Sequence, residues 1–180
     1  RYSEAADLLQ YSKVPEGLAH FALCLSELEY WDSASAIAEM AIEQGETASP
    51  MATMALCESM KGHQTNAYSW ANKAIEADPK YARAYNVMGV VCYRKGADTE
   101  ALRNFRKAVQ LDSNDVDAFF NLGTMYCLRN NYESALSTLK KALKKHPKSI
   151  KLYYCLGATY RLRGDYHKAV QCYEEVLKLD

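Results

Sequence analysis

The 180-residue chain holds no apolar run approaching the roughly 18 residues that a membrane-crossing helix needs, so insertion into a bilayer is not expected. It does not open with a basic stretch followed by an apolar one, the mark of a secretory signal. Its six cysteines, Cys24, Cys57, Cys92, Cys127, Cys155 and Cys172, form no C-x-x-C pair. A disulfide scaffold would gather them in loops. Here each falls in a helix-patterned stretch among apolar neighbours, where free cysteine packs as a small hydrophobe. That usage predicts free thiols and a reducing, cytoplasmic setting. A phosphate-cradling G-x-x-x-x-G-K-[ST] loop is missing too; "MKGHQ" and "RKGAD" read as helix-end turns.

Histidine is scarce, with four in the chain. His63, His146 and His167 have no acid or cysteine at a fixed spacing. Only His20 and Cys24, four apart on one helix face, could share a metal. Two ligands do not make a site, and internal packing of that face is the plainer reading. Neighbouring carboxylates such as Glu174 and Glu175 do not face each other on a helix. No catalytic, metal or cofactor site is expected, and the chain reads as non-enzymatic.

Acid is also missing where base is dense. Residues 1–58 hold Arg1 and Lys13 against ten acids, whereas residues 59–180 hold 20 Lys and Arg against 12 acids. Between Glu133 and Asp165 there is no acid, while Lys140, Lys141, Lys144, Lys145, Lys148, Lys151, Arg161 and Arg163 all lie there. Such opposed ends predict weak, salt-sensitive self-association, each exposed pair contributing a few tenths to about 1 kcal/mol. The patch Lys140, Lys141, Lys144, Lys145 and Lys148 reads either as a solvated helix face or as a contact for an acidic partner. Nucleic acid is disfavoured, because no aromatic is interleaved among the lysines as a stacking platform requires.

What the chain does have is a period. Steps of 34 from Ala67 meet Ala101, Ala135 and Ala169; from Ala74 they meet Ala108, Ala142 and Val176. Ala55 leads to Gly89, Gly123 and Gly157, and Gly62 to Gly96, Asn130 and Gly164. Within each period apolar residues recur at helical spacing in two blocks, as with Tyr85, Met88, Gly89 and Cys92. Gly96 and Asn130 suit the left-handed conformation that ends a helix. Pro79 and Pro147 block continuation of the second helix. Each period is therefore a helix, a tight turn and a helix. The small residues let the paired helices cross closely, and bulk such as Phe105 fills the space between neighbouring pairs.

In "AFFNLGTMYCLRNNYESALSTLKKALKKHP" and "LYYCLGATYRLRGDYHKAVQCYEEVLKLD" the units resemble tetratricopeptide repeats (TPRs). Leu122-Gly123, Tyr126, Ala135, Ala142 and Pro147 stand where that family's pattern wants them. The resemblance implies an all-α, right-handed superhelical solenoid of antiparallel helix pairs, with about five repeats. The divisions are residues 1–13 as the second helix of a truncated upstream repeat, 15–47 as a degenerate repeat, then 48–81, 82–115, 116–149 and 150–180. In the repeat at 15–47 the turn glycine is replaced by Glu29, and the step from Ala34 to Ala67 is 33. The last repeat has no polar capping helix. The text begins at Arg1 in mid-pattern, as expected of a segment from a longer protein.

In that family the first helices line a concave groove that takes peptides or a partner helix. Carried over place by place, the groove residues are Arg83, Asn86, Val90, Tyr93 and Arg94 in one unit. The next unit supplies Asp117, Phe120, Asn121, Thr124, Cys127 and Leu128, and the last Lys151, Tyr154, Ala158, Arg161 and Leu162. Phe120 and Tyr154 are extra aromatics beside Phe119 and Tyr153, and aromatics near arginine anchor partners. The other reading is that both rings pack along the inner wall without a ligand. The carboxylate clamp by which some members hold chaperone tails is disfavoured. Its places read Asn86, Val90, Asn121, Lys151 and Cys155, and only Asn121 and Lys151 agree. A continuous Asn ladder is absent, that place reading Thr53, Val87, Asn121, Cys155. The resemblance thus implies a non-enzymatic protein-interaction scaffold that binds a partner peptide or helix in the concave groove, within a larger multiprotein assembly. The alternative is a targeting or substrate-recruiting arm of a longer enzyme.

Overall fold

The computed structural model describes residues 15–45 and 47–179; the helix expected over 1–13 lies outside them. Ten helices follow one another among the described residues: α1 Pro15–Glu27, α2 Trp31–Glu43, α3 Ala48–Met60, α4 Gln64–Ala77, α5 Ala82–Arg94, α6 Asp98–Leu111, α7 Val116–Leu128, α8 Tyr132–Lys145, α9 Ile150–Arg163 and α10 Tyr166–Leu179. They form two compact units that divide after Gly96, α1–α5 in the first and α6–α10 in the second.

The turns explain why the helices break where they do. After each first helix one residue takes the left-handed conformation, at Glu29 (φ 62°), Gly62 (92°), Gly96 (78°), Asn130 (56°) and Gly164 (92°). The chain then reverses within two or three residues. Gly and Asn adopt that conformation at little cost. Glu29 does not, yet the turn at 28–30 keeps the geometry, with Tyr30 N–H donating to the Leu25 carbonyl at 2.9 Å as His63 N–H does to Glu58 at 2.8 Å. At this turn the departure from the repeat pattern is thus one of residue type and not of geometry. Replacing Glu29 by Gly is expected to stabilise the fold by about 1 kcal/mol, a rise of about 2–4 °C in thermal midpoint for a chain of this size. A scanning-calorimetry comparison checks it, and a fall would mean that Glu29 makes a compensating contact. The 33-residue step has an equally local origin: α2 has 13 residues, whereas α4, α6, α8 and α10 each have 14.

The second-helix-to-first-helix loops have their own fittings. Asp78 and Asp112 each accept from the backbone N–H two residues on, at 2.8 Å, which turns the chain. Asp115, Asn131 and Ser149 then cap α7, α8 and α9 by accepting from the N–H groups of Ala118, Ser134 and Leu152. Burial pushes the Asp115 carboxyl up, and the hydrogen bond from Ala118 N–H opposes that shift.

In the first unit Leu18, Ala22 and Leu25 of α1 pack with Ala34, Ile37, Ala38 and Ala41 of α2 and with Met54 and Cys57 of α3. In the second, Phe119 of α7, Leu136 and Leu139 of α8, Leu152, Leu156 and Tyr160 of α9, and Ala169 and Cys172 of α10 form one core. The alanine ladders are buried throughout: Ala67, Ala101 and Ala135, then Ala74, Ala108 and Ala142, are all at 0 % exposure. A Cβ added at Gly123 would come 2.7 Å from Leu139 Cδ2, and one at Gly157 would come 2.8 Å from Tyr173 Cε1. These glycines are required because α7 crosses α8, and α9 crosses α10, at close range.

Two expectations about cysteine are resolved. All six are free thiols on helices, but Cys24 is exposed while the other five are buried. His20 and Cys24 do not pack internally; both stand on the open face of α1. Among the described residues no three His, Cys, Asp or Glu side chains gather at any one place. Burial pushes the Cys57 thiol up to about 11, so it is a protonated, packed hydrophobe at neutral pH.

Candidate binding site

In the second unit the first helices α7 and α9 lie side by side. Residues spaced by three and four share a helix face. Phe120, Thr124, Cys127 and Leu128 thus look across from α7 at Tyr154, Cys155, Ala158 and Leu162 on α9. Together they line an open cavity of about 220 Å³. Its walls are almost wholly apolar. Thr124 Oγ1 lies 3.5 Å from Cys155 Sγ, which uses its polar atom inside the wall. Burial raises the Cys155 thiol, so it is a wall atom and not a nucleophile.

The rim is where charge enters. Lys151 ion-pairs with Asp117, and its ammonium stands 4.7 Å from the centre of the Phe120 ring. Tyr154 is 59 % exposed. Its ring centre is 5.9 Å from that of Tyr173 on α10, tilted by 54°, so one face is supported and the other is open. Leu128 and Leu162 are also exposed, at the far end, and Arg161 is exposed beside Leu162.

The sequence candidates therefore divide. Phe120, Thr124, Cys127, Leu128, Tyr154, Ala158 and Leu162 come together in the cavity, and Asp117 and Lys151 meet at its rim. Phe120 has a lysine neighbour, not the arginine expected. Asn121 is half-buried and does not line the cavity. Arg83, Asn86, Val90, Tyr93 and Arg94 lie on α5, in the other unit. Asn86 is buried there, so it is closed to a ligand, because the face of α5 it occupies is turned into the packing. Arg83 is held by Glu27 of α1 at 3.1 Å. Tyr93 and Arg94 are exposed, and Val90 is half-buried.

Two site residues escaped the sequence reading. From sequence, Cys155 reads as a carboxylate-clamp place and an Asn-ladder place, not as a cavity wall, although it stands 34 after Asn121. Tyr173 stands 34 after Leu139 and meets Gly157 as Leu139 meets Gly123. That equivalence was the signal available for it.

The lysine patch is exposed but not uniform. Lys145 Nζ donates to the Ser113 carbonyl (3.0 Å), Ser113 Oγ (2.6 Å) and Asn114 Oδ1 (3.3 Å), tying α8 to the loop before α7. Lys140 Nζ is 5.6 Å from the centre of the Tyr160 ring. Lys141, Lys144 and Lys148 make no ion pair among the described residues. Arg106 and Lys140, 34 apart, play one part twice, since Arg106 lies 5.3 Å from the Tyr126 ring centre and gives Nε–H to its hydroxyl at 2.8 Å.

Paired helices of 13 or 14 residues, left-handed reversals and a 34-residue ladder of small residues define an all-α TPR-type repeat. Over residues 51–180 the chain matches the family described as the middle TPR-like domain of cilia and flagella-associated protein 70, and it belongs to that family. No curated protein sequence matches it. Among solved structures it is similar to a thermophilic TPR protein of Thermus thermophilus, with a TM-score of 0.80, 18% identity, and 92% of this chain and 91% of that one covered. It is similar to Pseudomonas aeruginosa pilF at a TM-score of 0.78 and 19% identity, covering 92% and 76%. YrrB, a TPR protein with an unusual peptide-binding site, gives 0.63 and 20%, covering 99% and 92%. At these identities the likeness is one of fold. No helix among the described residues is long and apolar enough to cross a membrane.

Proposed function

We propose that this chain is a non-catalytic protein-interaction scaffold that seats one apolar side chain of a partner peptide or helix between α7 and α9. The cavity carries the reading. At about 220 Å³ it is smaller than the roughly 300–1,000 Å³ of small-molecule sites, and it is open along one side. That suits a side-chain anchor. Tyr154, Leu128 and Leu162 present apolar surface around it. Arg161 at one end, and an acid-free stretch from 134 to 164, favour a partner segment with a carboxylate near its anchor. The family's association with cilia and flagella gives the assembly reading its setting, and six free thiols accord with a reducing, cytoplasmic one. The recruiting arm of a longer enzyme remains the second reading, since the same groove would serve it.

Replacing both Tyr154 and Arg161 by Ala is expected to weaken capture by at least tenfold. The loss of a supported aromatic and its cationic neighbour is of hot-spot type, about 1–4 kcal/mol each. Peptides selected against the wild-type chain from a displayed random library, then titrated calorimetrically into both proteins, make the test. Helicity should be unchanged, because both side chains are exposed. Equal binding by the two proteins moves the site elsewhere, first to the exposed lysines of α8. An acidic contact there would weaken steeply between 0.01 and 1 M salt, as the Debye length falls from about 30 to 3 Å.

A further inference from the structure

On α6, Thr99, Leu102, Arg103, Arg106, Lys107 and Gln110 recur at helical spacing on one face and line an open cleft of about 440 Å³, none of them a residue of the groove. Three of the six are cations and none is an acid. Like charges three and four apart on a helix repel, so the chain gains nothing from their gathering by itself. Arg106 is nonetheless held in place. Its Nε–H donates to Tyr126 Oη of α7 at 2.8 Å, and its guanidinium carbon lies 5.3 Å from the centre of that ring. Among the described residues no acceptor meets its two terminal nitrogens. Arg103 meets Glu100 at 3.5 Å, yet its side chain stays 77 % exposed. Lys107 is exposed and makes no ion pair among the described residues. The later second helices lose the arrangement. One period on, α8 has Glu133 at the place of Thr99 and Lys140 at that of Arg106. In α10, Glu174 and Glu175 stand at the places of Arg106 and Lys107.

We propose that this cleft binds a phosphorylated side chain of a protein partner. Charge complementarity selects that occupant. The three cations, less the single charge of Glu100, leave a surplus of two. A phosphomonoester carries about −1.5 to −2 near pH 7, whereas a lone carboxylate carries one charge. Shape agrees with charge. The planar guanidinium fork grips two oxygens of one phosphate at once, and Tyr126 already fixes the Arg106 fork, so little freedom is left to lose on binding. Lys107, the Thr99 hydroxyl and the Gln110 amide are further donors lining the same cleft. Leu102, half-buried in its wall, offers apolar contact to the carbon of a phosphate ester, which inorganic phosphate lacks. The cleft is therefore a second point of attachment, independent of the groove, and phosphorylation of the partner switches it on.

Nuclear magnetic resonance of the whole chain tests it, with end-blocked Gly-phosphoserine-Gly, Gly-Asp-Gly and inorganic phosphate titrated at constant ionic strength. The phosphopeptide is expected to shift the Arg106 Nε–H and the backbone amides of α6 saturably. At about pH 7.5 its affinity should exceed that of the other two by about fivefold or more. It should weaken as the pH falls to about 5.5, because the phosphate regains its second proton at about pH 6, while the Asp peptide shows no such loss. Arg106→Lys keeps the charge but not the fork and should weaken binding about fivefold. Tyr126→Phe keeps every charge. Tyr126 is a positioning residue that does not meet the ligand, and losing its hydroxyl should still weaken binding about twofold or more. Arg103→Gln with Lys107→Ala, both at exposed positions and so without effect on folding, should abolish the shifts. Equal binding of the Asp peptide or of inorganic phosphate, an unchanged affinity in Arg106→Lys, or shifts centred on Lys141 and Lys144 of α8 would each overturn the proposal. The absence of any saturable shift would overturn it too.

Discussion

Gly123→Leu is expected to lower the thermal midpoint by roughly 2–12 °C, from an overpacking cost of about 1–3 kcal/mol at about 2–4 °C per kcal/mol. The reason is geometric. The first added atom, Cβ, falls 2.7 Å from Cδ2 and 2.8 Å from Cγ of Leu139. Leu139 is the end of a flexible side chain, but it is fully buried in the core shared by α7, α8 and α9, so it has nowhere to turn. Relief must come from moving α7 away from α8. Gly157→Leu meets the Tyr173 ring at 2.8 Å, yet Tyr173 is half-buried and can swing outward, so its cost should be the smaller of the two. Gly17→Ala is the control: nothing lies within 4 Å of its Cβ, and it sits in a helix, so no loss is expected. Circular-dichroism melts of the three variants check the order. A neutral Gly123→Leu would refute the close crossing as the reason for the small-residue ladder.

That ladder is also what made the fold legible. A strict period tells which positions do the same job, and burial then follows: Ala101, Ala135 and Ala169 are all buried, at 0 %, 0 % and 3 % exposure. Helix ends were legible for the same reason, since Gly62, Gly96, Asn130 and Gly164 advertise a positive φ. Glu29 did not, because a residue's name reports conformational preference and not the hydrogen bonds that over-determine a turn. Contacts across the period were less legible than places within it. That Lys151 pairs with Asp117, or that Tyr173 backs Tyr154, depends on which rotamer each long side chain takes between two helices. Asn86 shows the limit of carrying family places over: its equivalent is open in a peptide groove, but here the side chain is buried. Cys24 shows another, because an apolar neighbourhood in sequence need not face the core.

Phe119→Ala is expected to be the more damaging change, about 3–5 kcal/mol, or roughly 6–20 °C in midpoint. Among the described residues Phe119 is the largest fully buried side chain, and it joins α7 to the core formed with α8, α9 and α10. Removing it takes away most of its apolar area and leaves a void that close-packed neighbours fill only in part. Phe120, its neighbour in sequence, lines the open cavity and is only partly buried against the same core, so Phe120→Ala should cost less stability while weakening partner capture. Of the two adjacent phenylalanines, Phe119 is thus wholly in the core and Phe120 stands between core and cavity. Repeat proteins gain stability from each repeat and its immediate neighbours. The Phe119 loss should accordingly appear first as faster amide exchange in α7, α8 and α9, with the amides of the Leu18–Ile37–Cys57 core changed least. Native-state hydrogen exchange read helix by helix decides the matter. Equal loss of protection in both cores would mean that the two units unfold as one, and a Phe120→Ala as destabilising as Phe119→Ala would move Phe120 from the site into the core.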